Sequence, residues 1–317
     1  MNCYNDGVLL KKTKRPEGKV RVVIDTDTHN EIDDVYALAY GLSVQDRIQV
    51  EAIYAAPFFN ERVQSIAEGV EKSYEQIQNV LPMLHREDLK DKVYKGCTGY
   101  LKDEKTPQDS PAVRNLIKLA QETPDEEVLY VAGLAAITDI ASALLIEPSI
   151  AKKIVVVWLG GHAYHFKDTR EFNLIQDVAA ARVVFGSGAP MVQIPCWGVT
   201  SHLMTTEPEL QQYMNGQSQI GTYLYDITCA IAKEQEGKCW SRSIWDLSVM
   251  MWLAGPEKCM TQHLIRSPVV SYEGTYGVDH SRHMIMVVDW IDRDQVFADF
   301  FATLGNLDRK DDGNDKK

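Results

Sequence analysis

Short runs rich in Val, Ile and Leu alternate along the chain with longer segments of helical spacing. The runs "VRVVID", "VEAIYAA", "EVLYVAG", "KIVVVWLGG", "MVQIP" and "MIMVVDW" predict strands. Helical spacing covers Asp33–Ser43, Glu61–Val80, Ala112–Glu122, Ala136–Glu147, Asp177–Gly186 and Ser243–Leu253. Strand–helix alternation of this kind predicts an α/β fold, a mostly parallel and Rossmann-like open sheet flanked by helices on both faces. No fixed-period repeat and no low-complexity linker breaks the pattern. Residues 19–306 are therefore read as one domain, with flexible termini at 1–18 and 307–317. Residues about 200 to 242 are more polar and helical, and are expected to leave the sheet and cover a site.

Composition narrows the partners. The chain has 317 residues, 45% of them apolar, enough to bury a substantial core. Its net charge is −12 and its pI near 5.2, without a basic stripe, which argues against nucleic acid as a partner. No segment approaches the roughly 20 apolar residues that cross a bilayer. The start, "MNCYNDGVLLKKTKRPEGK", lacks the apolar core and cleavage site of a signal peptide. Cys3, Cys97, Cys196, Cys229, Cys239 and Cys259 form no C-x-x-C pair, so they read as reduced thiols of a cytoplasmic protein.

Ligands of open α/β sheets bind outside the carboxyl ends of the strands. The loops there are "DTDTHNEIDD", "APFFNER", "GLAAITD" and "LGGHAYHFKDTREFN". The first holds Asp25, Asp27, Asp33 and Asp34 at one strand end and the following helix start. Carboxylates that share a pocket raise one another's pKa unless a cation favours the charged forms. A hard divalent ion with oxygen ligands resolves the conflict, and Ca2+ suits carboxylates and carbonyls better than Mg2+. The plainer alternative is that Asp33 and Asp34 favour the positive end of a helix that Asn30 caps. That accounts for one or two of the four.

The loop also resembles, over "DTDT", the D-x-D-x-T nucleophile motif of haloacid dehalogenase-type phosphatases. There Asp25 would be phosphorylated and Asp289, Asp292 or Asp294 would complete the acidic set; no convincing lysine motif accompanies it. A wider resemblance is to the calcium-dependent, inosine–uridine-preferring nucleoside hydrolases, whose first loop reads D-x-D-P-G-x-D-D. The loop here is two residues longer and lacks the Pro-Gly. "VAGLAAITDIASALLIEPSI" resembles the family's G-P-L-T-N-I-A-x-A-L block, with Asp139 in place of Asn. "VVVWLGG" with "REFNLIQDVAAARVVF" resembles its M-G-G and A-E-F-N-x-x-x-D-P-x-A-A blocks. "SIWDLSVMMWL" resembles the late H-D-P helix, with Trp245 in place of the histidine and Asp246 kept.

The resemblance implies hydrolysis of the N-glycosidic bond of a ribonucleoside or related N-riboside by a calcium-activated water. It implies Asp27, Asp34 and Asp246 as metal ligands, joined by the main-chain carbonyl near Leu134. Asp27 would take the proton of the attacking water. Asp33, Glu171 and Asn173 would hydrogen-bond the ribose hydroxyls, with Asn60 the counterpart of a ribose-binding asparagine; Asn60 equally reads as a helix cap. Trp245 would lie in the pocket, where an indole can stack on a base but cannot serve as an acid. The leaving base would then be protonated by His162 or His165, or would need no proton. A homodimer or homotetramer is implied too. The non-enzymatic alternative is a ribose- or sugar-binding module that kept the metal site.

Other residues carry plainer expectations. His162 and His165 have no Cys or His pair to complete a zinc site. Asp279, His280 and His283 read as loop or surface, Trp252 as core, and Asp177 as a helix N-terminal charge.

Overall fold

The computed structural model describes residues 5–233, 239–305 and 307–308. Its strands are β1 (Val20–Thr26), β2 (Ile48–Ala55), β3 (Val93–Lys95), β4 (Leu129–Gly133), β5 (Ile154–Leu159), β6 (Met191–Ile194), β7 (Met204–Thr205), β8 (Arg242–Ser243), β9 (Met260–Arg266), β10 (Val269–Val270), β11 (Tyr276–Gly277) and β12 (Met284–Ile291). Eight of them form one sheet in the order β3-β2-β1-β4-β5-β6-β12-β9, while β7 with β8 and β10 with β11 make two small ribbons. All neighbours in the large sheet are parallel except β9, which runs antiparallel to β12.

Alternation of side chains across β1 explains its unbroken apolar run. Val22 and Ile24 enter one core and Val23 the other, on opposite faces of the sheet, and all three are fully buried. The helices are α1 (Asp6–Lys12), α2 (Asp33–Ser43), α3 (Ile66–Val80), α4 (Pro111–Glu122), α5 (Thr138–Ile146), α6 (Phe172–Gln176), α7 (Val178–Gly186), α8 (Glu207–Tyr213), α9 (Gln219–Lys233), α10 (Leu247–Ala254) and α11 (Arg293–Leu304). Residues of α2, α3, α10 and α11 fill the first core, and those of α4, α5 and α7 the second. The expected α/β architecture is the one found.

Several boundaries shift for local reasons. Helix α3 starts at Ile66, not Glu61, because the Ser65 hydroxyl caps it by accepting the Glu68 N–H. Helix α10 starts at Leu247, since Arg242 and Ser243 pair with β7 instead. Strand β3 is too short for a pattern to register, and β9, an edge strand with alternating burial, lacks the apolar run of the others.

The supposedly loose lead-in contradicts its expectation. It carries α1, capped by Asn5, with Leu9 buried. The Arg15 guanidinium donates to the carbonyls of Met251, Trp252, Gly255, Pro256 and Glu257. Met251 and Trp252 belong to the last turn of α10, where carbonyls run short of partners within the helix, and the other three follow its end at Ala254. Of the expected loose tail, residues 309–317 lie outside the described residues. No helix among the described residues is long and apolar enough to cross a membrane.

Candidate active site

The strand order reverses between β1 and β4: successive strands run outward to β3 on one side and to β6 on the other. Such a switch point opens a crevice at the carboxyl ends of the strands. A cavity of about 230 Å³ lies there, room for a small ligand. β1 delivers Asp27 to it, β4 delivers Leu134, β5 leads to His162, and β6 leads to Cys196 and Trp197.

Two helix starts meet in this crevice. Asp33 and Asp34 form the first turn of α2, whose N-cap is Ile32; Asn30 does not cap it. Asp246 is the N-cap of α10. One carboxylate oxygen from each of Asp33, Asp34 and Asp246 falls within 4.8 Å of the others, and all three residues are buried. Asp34 Oδ1 accepts the Thr26 hydroxyl and, at 3.1 Å, the Asp27 N–H. One buried oxygen on each of Asp27, Asp33 and Asp246 has no hydrogen-bond partner.

Burial pushes all four carboxyls up, Asp34 to about 7, where the Thr26 and Asp27 hydrogen bonds work in the opposite direction. Repulsion between the carboxylates raises Asp27, Asp33 and Asp246 further. Orphaned, mutually repelling oxygens without nitrogen or sulfur donors fit a hard divalent cation, not zinc. The tight trio includes Asp33, which the sequence assigned to ribose, while Asp27 stands beside it on the same wall.

Glu171 supports the opposite wall. Its carboxylate accepts the N–H groups of Gly161, Asn173 and Leu174 at 2.8–3.0 Å, capping α6 and tying it to the loop after β5. Burial raises its pKa and those three N–H groups lower it. The Asn173 amide donates to the carbonyls of Leu134 and Leu159 at 2.9 and 3.1 Å. The Leu134 oxygen so engaged keeps a second lone pair that a cation could use.

The other expected residues divide. Trp245 is half-buried on the cavity wall, beside Asp246, and His162 also lines it. His165 does not. Its residue is exposed, and its ring packs on Phe166 at 4.6 Å and lies against Gly198. Asn60 is off the wall as well, because its amide donates to Asn30 at 2.8 Å, and Asn30 is the residue that reaches the cavity. Nor does Asn60 cap α3, a role taken by Ser65. Asp177 caps α7 and also accepts from Leu101 and Thr138.

Trp252 is core, as expected. His283 is buried, contrary to its surface assignment, and burial lowers it to about 4. Among the described residues, 200–241 contribute nothing to the cavity wall. This excursion instead packs on α2, where the Tyr36 hydroxyl meets that of Thr228 at 2.7 Å.

Sequence reading missed Asn30, Glu31, Leu159, Arg170, Phe172, Cys196 and Trp197 on the wall. The carboxyl-end rule, applied to "MVQIP" as it was to the other strands, would have reached Cys196 and Trp197. Glu31 is paired with Arg242, a contact across 211 positions that local pattern cannot show.

Asp25 sits differently from its three partners in the loop. It is buried off the cavity wall and faces the carboxyl of Asp139. A phosphoryl-accepting nucleophile must face its substrate, so this position contradicts the phosphatase reading.

Comparison with known proteins agrees. The sequence profile of the inosine-uridine preferring nucleoside hydrolases matches residues 22–298. The pyrimidine-specific ribonucleoside hydrolase RihB of Escherichia coli O1:K1 is 27% identical over 176 residues, 54% of this chain and 55% of that protein. The match thus spans about half the length of this curated relative. Among solved structures, a plant nucleoside hydrolase superposes with a TM-score of 0.71 at 19% identity, over 90% of this chain and 99% of the other. A purine-preferring ribonucleoside hydrolase from Gardnerella vaginalis gives 0.69 at 22% identity, over 90% and 98%.

Proposed function

The chain belongs to the inosine-uridine preferring nucleoside hydrolase family, and from that premise we propose that it hydrolyses the N-glycosidic bond of a ribonucleoside or related N-riboside. The observation that carries the proposal is the convergence of Asp33, Asp34 and Asp246, from the beginning and the latter part of the chain, within 4.8 Å in the crevice.

Ca2+ is the proposed cofactor, held by Asp27, Asp34, Asp246 and the Leu134 carbonyl. Bound there, it would let the carboxylates remain ionised together and would acidify a neighbouring water. Asp27, which lines the wall and has a partnerless oxygen, would accept a proton from that water. Asp33, Glu171 and Asn173 would orient the ribose hydroxyls, spending binding energy away from the breaking bond. Positive charge develops on the sugar as the bond to the base lengthens, and the surrounding carboxylates favour it electrostatically. Of the two expected histidines, His162 lines the wall and His165 does not.

The direct test is ribose release by the purified protein from a panel including inosine and uridine, with chelator and after calcium is restored. Release that stops with chelator and returns with calcium supports the reading. Binding of the nucleosides without ribose release would leave a sugar-binding module.

A further inference from the structure

The cavity wall bears on which N-riboside is cleaved, and the argument rests on the hydrolase reading above. An uncharged base leaves as an anion and needs a proton; a base that is already cationic leaves as a neutral molecule. With a cation holding its carboxyls ionised, the wall would supply little acid. His162 Nδ1 receives the Trp197 N–H at 3.4 Å, so its proton resides on Nε2 as in a neutral imidazole, and burial favours that neutral form. The Trp245 indole N–H is a hydrogen-bond donor that is not given up near neutral pH.

The wall is instead aromatic and negative. Phe172, Trp197 and Trp245 line it, and Trp197 is 56% exposed, with its ring edge-on to His162 at 6.2 Å. Six carboxyl groups line it as well, a negative balance even after a divalent cation, Arg170 and the Arg242 that pairs with Glu31. Aromatic faces and negative potential both attract a cationic ring.

We infer that the preferred substrates are N-ribosides whose heterocycle already carries a positive charge, such as pyridinium or N-alkylated purinium ribosides, with Trp197, Trp245 and Phe172 receiving that ring. In the step, the bond between the anomeric carbon and the ring nitrogen breaks, and its electron pair cancels the charge on nitrogen. Water oxygen bonds the anomeric carbon, and its proton passes to Asp27 and on to solvent. Ribose, a neutral heterocycle and one proton result.

The test compares inosine with 7-methylinosine, which share sugar and ring system and differ by one methyl group and its charge. For the full-length protein with calcium, each kcat/KM is divided by the uncatalysed hydrolysis rate of the same nucleoside. A wall without an acid enhances the cationic nucleoside at least as much as inosine. Trp245→Ala then lowers kcat/KM for 7-methylinosine by about tenfold more than for inosine. An enhancement larger for inosine overturns this inference alone, since it reveals a proton donor. Equal losses in Trp245→Ala overturn the aromatic part. No turnover of either nucleoside, nor of uridine or a pyridinium riboside, overturns the hydrolase reading, and this inference with it.

Discussion

The carboxylate of Asp33 accepts the backbone N–H of Asp246 at 3.3 Å, a bond between residues 213 positions apart. Helices α2 and α10 therefore aim their positive ends at one point, which favours negative charge there. That attraction is modest beside the repulsion among four buried carboxyls. Without a cation, Asp246→Asn should therefore raise stability, by roughly 1–2 kcal/mol. With calcium the order should invert, because binding stabilises the wild type by linkage. Urea midpoints with chelator and with calcium check both halves.

The same carboxyls set a pH dependence. Asp34 is raised to about 7 and its neighbours are raised too, so the folded protein holds protons that the unfolded chain has released. Chelated protein should lose stability as pH rises from the ordinary carboxylate range, near 4, through about 7. Calcium should flatten or invert that slope. Urea titrations at acidic and mildly alkaline pH, each with and without chelator, measure it.

Glu171 joins architecture to substrate contact. Glu171→Ala removes the acceptor for three backbone N–H groups and should cost about 2–3 kcal/mol. Glu171→Gln keeps one acceptor oxygen and should lose less than half of that. Both variants should raise KM for the riboside. Thermal melts beside steady-state kinetics separate the two effects.

Asp25 and Asp139 make a second buried carboxyl pair, behind the cavity, each pushed up by burial. Asp139 Oδ1 accepts the Cys97 N–H at 2.9 Å and the Ser110 hydroxyl at 3.1 Å. An asparagine could keep both bonds and donate to Asp25. Since both folded-state pKa values are raised, the pair weakens the fold as pH rises. Asp139→Asn should therefore gain roughly 1 kcal/mol above neutral pH and less in acid. Thermal melts across pH would read it.

The sheet was legible because β1, β4 and β5 are buried on both faces and so carry unbroken apolar runs. The acidic loop was legible for a related reason, since four aspartates and a glutamate in ten residues need a cause beyond solvation. Asn60 and His165 were misplaced because sequence shows which loop a side chain belongs to but not its direction. A hydrogen bond to Asn30 turns the first and a ring contact with Phe166 holds the second. Arg15 gave no local sign of its bonds to α10, more than 230 positions away.

Calorimetric titration of the chelator-stripped protein with calcium tests the joint grip most directly. One calcium per chain should bind, and Asp34→Asn and Asp246→Asn should each abolish the binding heat while keeping the native circular dichroism. Undiminished calcium binding in both variants would contradict the shared site and the chemistry derived from it.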